Sequence, residues 1–183
     1  MANIGVTGHR ILTDLEKIHV GIDLAISRIL KEFPGQSLRL LTQFAEGSDR
    51  LVAQHFRKLE NSRITVVLPL PIDEYLKDFS RNSAKEFMEL LRESNEIVNM
   101  PKLKDREAAY EAAGLYILNH SDALICIWDG KVAQGRGGTG EIATLARRKK
   151  IPFAWIHAGN RKPKTLQPTS LGEDQGKVTF ENF

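Results

Sequence analysis

Short runs of aliphatic and β-branched residues recur along the chain, each followed by a stretch with helical spacing. The runs lie at 3–6, 38–42, 64–68, 123–128 and 153–156. Their length and their Gly, Pro and Asp boundaries mark them as strands. Two of them, ITVVL at 64–68 and ALICIW at 123–128, lack the polar alternation of a half-exposed strand and are expected to be buried on both faces. Strands alternating with helices predict an α/β fold: a single three-layer domain with a mostly parallel sheet flanked by helices.

The intervening stretches supply the helices. Leu15, Ile18, Ile22, Ala25, Ile26, Ile29, Leu30 and Phe33 fall on one face, which predicts a helix over 14–33 with Asp14 as its N-cap. Pro34 and Gly35 end it. A second helix is expected over 49–59, capped by Ser48, and shorter ones over 73–77 and 83–91. A strand at 96–98, a long helix over 105–119 and a helix running to 150 complete the pattern. From Gly159 the chain is polar with scattered Gly and Pro. The expected division is a domain over 1–158 and a polar tail or irregular extension over 159–183.

Of the 183 residues, 42% are hydrophobic and 27% charged, which suits an ordinary globular domain. The single cysteine, Cys126, lies inside ALICIW, so a disulfide framework is excluded and a buried apolar role is expected. No apolar run is long enough to cross a bilayer, and MANIGVTGHR enters a strand with no charged-then-apolar leader. Cytoplasmic residence and no membrane partner are the expectations. The net charge of +3 does not indicate nucleic acid. The cluster Arg147-Arg148-Lys149-Lys150 closes a predicted helix, where cations oppose the macrodipole favourably. The five histidines are scattered, with no H-E-x-x-H pair, so no metal site is expected. His120-Ser121-Asp122 sets triad residue types side by side, but triads are assembled in space and not by adjacency.

Candidate chemistry is concentrated in loops that leave the strands. Thr7-Gly8-His9-Arg10 follows the first strand, and Glu46-Gly47-Ser48-Asp49 lies in the loop after the second. Asp129 begins the segment after ALICIW, which runs through Arg136, Gly137, Gly138, Thr139 and Gly140 to Glu141. In a parallel sheet these loops share one edge, the carboxyl ends of the strands, where open α/β sheets bind ligands. Glycine allows close backbone approach, helix N-terminal amides attract anions, and Arg10 and Arg136 can clamp a phosphate. The loops match neither G-x-G-x-x-G nor G-x-x-x-x-G-K-[ST]. Ser48 also suits an N-cap, and Asp49 and Glu141 suit a first helical turn. A carboxylate repels a phosphate, so Glu141 beside a nucleotide would face its ribose, base or water, where a general base or nucleophile stands.

GVTGHR followed by LLTQFAEGSDRLVA resembles the Rossmann-like domain of DNA-processing protein A, which has a strand-exit Gly-x-Arg element and a Ser-Gly-x-Ala-x-Gly-x-Asp motif. Ala45, Gly47 and Asp49 match that motif, Gln43 replaces its glycine, and Thr42 stands near its serine. SDALICIWDG followed by GGTGEIATLARRKKIPF resembles the LOG family, with its Pro-Gly-Gly-x-Gly-Thr-x-x-Glu, and the nucleoside 2-deoxyribosyltransferases, with Asp-x-Gly-Thr-x-x-Glu. Together these resemble the SLOG superfamily over residues 3–156. The resemblance implies a nucleotide or nucleotide-derived ligand at the sheet edge and is compatible with a homo-oligomer. LOG enzymes cleave the bond between base and ribose phosphate with the motif glutamate and an upstream arginine. Here the motif is one residue short: aligned on Gly-Thr it offers Glu141, and aligned on Gly-Gly-x-Gly it offers Thr144. No arginine lies between Arg106 and Arg136 to serve as the upstream one.

The expected function is nucleotide-type ligand binding at the sheet edge, with no certain cofactor. The alternatives are an N-glycosidase or deoxyribosyltransferase-like enzyme using Glu141, and single-stranded DNA binding in the manner of DNA-processing protein A.

Overall fold

The computed structural model describes residues 1–132 and 137–183. In chain order the elements are β1 (Ala2–Gly8), α1 (Leu15–Glu32), β2 (Leu38–Thr42), α2 (Ser48–Phe56), β3 (Arg63–Leu68), α3 (Ile72–Tyr75), α4 (Arg81–Arg92), β4 (Glu96–Asn99), α5 (Arg106–Asn119), β5 (Ala123–Trp128), α6 (Thr139–Arg148), β6 (Phe153–His157) and β7 (Val178–Glu181). One seven-stranded sheet runs β4-β3-β2-β1-β5-β6-β7. Strands β1 to β6 are parallel, and β7 joins β6 antiparallel. The fold is the predicted α/β domain with helices on both faces.

The pleat of β5 shows why ALICIW carries no polar residue. Ala123, Ile125 and Ile127 face a core shared with Ile18 and Ile22 of α1, Phe56 of α2 and Phe87 of α4. Leu124, Cys126 and Trp128 face the opposite way, toward Leu118 of α5 and Ile142 of α6. Alternate side chains of one strand thus enter different hydrophobic layers, and both must be apolar. Burial also pushes the Cys126 thiol pKa up, so it stays protonated.

The chain winds outward from β1 through β2 and β3 to β4, then returns to place β5 on the other side of β1. Strand order therefore reverses between β1 and β5. Open α/β sheets bind ligands at such a reversal.

Local differences from the sequence pattern have identifiable causes. Asp14 precedes α1 in a left-handed conformation (φ 52°) and makes no cap bond; Ser170 donates to its carboxylate instead. Leu15 and Leu30 belong to the apolar periodicity but stay 44% and 42% exposed. The residues after 158 add a strand that sequence alone left as an irregular extension. Gln175, 3% exposed, ties them to the domain. Its Oε1 accepts from the Gly159 and Leu171 amides at 2.9 and 3.0 Å, and its Nε2 donates to the Thr13 carbonyl at 2.9 Å. Arg147 of the basic cluster holds the strand itself. It donates to both carboxylate oxygens of Glu181 at 2.9 and 2.8 Å and lies over the Trp128, Phe153 and Trp155 rings.

Gln175→Ala will leave those two amides and one carbonyl without their side-chain partner. At about 1–3 kcal/mol for each buried group left unpaired, partly relieved by water, the expected loss is about 2–4 kcal/mol. Urea unfolding midpoints measure it; a loss under about 0.5 kcal/mol would show that this segment is not coupled to the domain.

Candidate functional site

β1 is paired on both sides, so its exit loop emerges at the strand-order reversal. Gly8 stands opposite Ile127, and the His9 amide donates to the Ile127 carbonyl at 2.9 Å. The His9 ring then turns onto the end of β5. Its Nε2 accepts from the Asp129 amide at 3.1 Å, with Asp129 Oδ1 at 3.3 Å. Burial lowers the His9 pKa, and the Asp129 carboxylate opposes this without reversing it. A neutral imidazole follows, with its proton on Nδ1 and the Nε2 lone pair taking the amide. Thr7 completes the junction: its hydroxyl lies 3.4 Å from that of Thr139 at the start of α6. The predicted loops after β1 and β5 therefore touch.

The loop after β2 packs against the same exit. A Cβ on Gly8 would lie 2.3 Å from Ser48 Oγ and 2.5 Å from the Ile127 carbonyl. Gly47, at φ 75°, would meet the Arg10 carbonyl at 2.4 Å. Both glycines admit another part of this chain rather than leaving open space. Ser48 is the first residue of α2, not its cap; Gly47 holds the cap position. The Ser48 amide and hydroxyl both donate to the His9 carbonyl, at 3.1 and 2.8 Å. One of the orphan donors of this helix start is thus satisfied by the neighbouring loop.

Asp49 is buried at 6% exposure. Its Oδ2 accepts from Thr42 Oγ1 and from the Gln43 amide, both at 2.9 Å, which fixes the turn out of β2. Burial raises its carboxyl pKa, while these hydrogen bonds and the nearby Arg10 charge pull it back down. Glu46 lies beyond the turn on a surface cavity.

After β5, Asp129 Oδ1 accepts from the Lys131 amide at 3.2 Å. Two indoles brace this turn: Trp128 Nε1 donates to the Lys131 carbonyl and Trp155 Nε1 to the Trp128 carbonyl, each at 2.9 Å. Arg136 lies outside the described residues. Gly138 caps α6, and its carbonyl accepts from the Glu141 and Ile142 amides. Gly140 is buried in the first turn, and its carbonyl accepts from Thr144 Oγ1 at 2.7 Å. Glu141 turns back on its own loop, where Oε2 accepts from the Gly137 amide at 2.7 Å. This resembles half of a capping box, with the carboxylate at the third helical position reaching back past the cap.

Arg10 is exposed and makes no ion pair among the described residues; its guanidinium lies 5.6 Å from the Tyr110 ring centre. It marks the border between the reversal and a cavity of about 410 Å³ formed by α1, α2 and α4. Glu46 and Gly47 of the loop after β2 and Arg50 of α2 line this cavity, together with Gln54, Ser83 and Glu86, which sequence patterns did not select. For α2 a signal existed: Gly47, Arg50, Leu51 and Gln54 recur at the spacing of one helix face. For Ser83 and Glu86 there was none, because only tertiary packing sets α4 beside α2.

Among the described residues no cluster of three or more His, Cys, Asp or Glu could hold a metal ion, and no helix is long and apolar enough to cross a membrane. No protein-family model matches the chain, and no curated protein matches it. Function is therefore argued from the geometry of this site.

The lowered His9 pKa sets a pH dependence. The unfolded chain binds a proton near 6.5 more readily than the folded site does, so stability is present above that pH and falls as pH drops through the lowered folded value. His19 and His157 shift in the same direction. Melting temperatures between pH 7.5 and 5 are expected to fall, and His9→Gln to fall less steeply. Equal slopes would show that His9 is not buried as a neutral ring.

Proposed function

We propose that this protein binds a nucleotide or a nucleotide-derived ligand at the C-terminal edge of its parallel sheet, as the SLOG resemblance of its loops implies. The observation that carries this reading is the contact of the β1 and β5 exit loops at the strand-order reversal, with Arg10 beside them making no ion pair among the described residues. Open α/β sheets bind ligands at this position. Arg10 supplies the charge that a phosphate requires, and its planar fork suits two phosphate oxygens at once. The start of α6 faces the same edge and attracts anions through its dipole.

Glu141 enters this reading as the group that holds the Gly137 turn. Its hydrogen bond to the loop supports a positioning role ahead of an N-glycosidic bond cleavage role.

Calorimetric titration with nucleoside mono- and diphosphates, cyclic nucleotides and ADP-ribose derivatives tests the proposal. Binding is expected for at least one, and silence from all of them would end it. Arg10→Ala removes a charge-assisted contact of about 1.5–3 kcal/mol, so affinity should fall roughly ten- to hundredfold. Single-stranded DNA binding would instead appear as affinity for oligonucleotides that falls steeply with salt.

Glu141→Gln retains an acceptor for the Gly137 amide, and nucleotide affinity is expected to survive the change. Release of free base from a nucleoside monophosphate by the wild type, abolished in Glu141→Gln, would make Glu141 catalytic instead.

A further inference from the structure

Two residues that line the cavity between α1, α2 and α4, Arg50 and Ser83, each carry a buried polar atom with no hydrogen-bond partner among the described residues. The Arg50 side chain is 5% exposed. Its Nε donates to the Phe44 carbonyl at 3.1 Å and its Nη1 to Glu86 at 2.5 Å, while Nη2 is buried with no hydrogen-bond partner among the described residues. The Ser83 hydroxyl is buried and equally without a partner. Ser83 and Glu86 are one turn apart on α4, Glu86 holds Arg50, and both Arg50 and Ser83 line this cavity. Buried donors are almost always paired in folded proteins, and two that are not, on one cavity, mark a place where an acceptor from outside belongs.

The rest of the lining narrows the chemistry. Leu12, Leu15 and Leu51 supply an apolar surface. Leu15 is 44% exposed although it belongs to the apolar periodicity of α1, an exposure that a flat apolar ligand face would relieve. Glu46 and Gln54 add acceptors to the donors of Arg50 and Ser83. A phosphate fits poorly here, since the carboxylates of Glu46 and Glu86 would repel it. A heterocyclic ring fits: apolar on its faces, with donors and acceptors along its edge. The volume of about 410 Å³ is of the size small-molecule sites use. Arg10, at the border toward the β1–β5 reversal, would then meet the phosphate.

We propose that the α1–α2–α4 cavity holds the base of the nucleotide, its edge hydrogen-bonded to Arg50 Nη2, Ser83 Oγ and the Gln54 side chain. This rests on the nucleotide reading above and adds the position and the contacts of the base.

The test is calorimetric titration of AMP, GMP, CMP, UMP and ribose 5-phosphate into the wild type, Ser83→Ala and Gln54→Ala. Ser83→Ala deletes a hydroxyl with no partner among the described residues, so its melting temperature should match or exceed the wild type. Gln54 is exposed on α2, where alanine is well tolerated. The expected result is a nucleoside monophosphate that binds the wild type and binds each variant roughly tenfold more weakly, the effect of about 1.4 kcal/mol, with ribose 5-phosphate binding all three alike. Undiminished nucleotide affinity in both variants would overturn the placement of the base while leaving the sheet-edge proposal standing. Equal weakening of ribose 5-phosphate would overturn it in favour of the sugar phosphate. A wild type that binds none of the five compounds would overturn both this placement and the nucleoside-monophosphate form of the function on which it rests.

Discussion

Everything at the sheet edge depends on how closely the exit of β1 packs against its neighbours. β1 is bonded to β2 and β5, so its last residues have no lateral freedom. The chain leaves through the space between the β5 end and the start of α2, and that space admits no Cβ at Gly8 or Gly47. The His9 carbonyl consequently meets the first amide of α2, the His9 ring meets the Asp129 amide, and Thr7 meets Thr139. Three loops distant in sequence become one rigid junction, held by backbone groups that could not be left unpaired once buried.

Two consecutive residues of α2 extend that junction in opposite directions. Asp49 points back and closes the turn out of β2 through Thr42 and Gln43. Arg50 reaches across to the Phe44 carbonyl and to Glu86 of α4, under the Phe79 ring. A buried guanidinium such as that of Arg50 adds little net stability against an apolar alternative, because desolvation opposes the attraction. Its effect is on geometry: it bonds only to particular partners, so the loop and α4 take particular positions. The cavity that results is a consequence of where Arg50 must go.

The far side of the sheet is braced differently. Arg147 in the last turn of α6 covers three aromatic rings and grips Glu181, so a residue that the sequence grouped with a helix-ending basic cluster acts as a structural clamp. Gln175 performs the same service at the other end of the segment. Neither role was legible beforehand, since a polar stretch with scattered Gly and Pro looks alike whether or not its backbone finds a sheet edge. β7 could not be inferred because VTFE pairs with β6 on one side only, and an edge strand need not show the apolar signature of ALICIW.

The sequence by itself determined the layers. Runs without polar alternation, such as ITVVL and ALICIW, call for helices on both faces of the sheet, and helical spacing between them supplied those helices. It also brought TGHR, AEGSD and GGTGE to one sheet edge, because every parallel strand exits on the same side. It left open which loops touch, since that follows from strand order, and strand order depends on long-range pairing that periodicity does not encode. Only the tertiary structure placed β5 beside β1, and with it set His9 against Asp129. Only the tertiary structure packed α4 on α2, and so left Arg50 Nη2 and Ser83 Oγ buried without a partner of their own among the described residues.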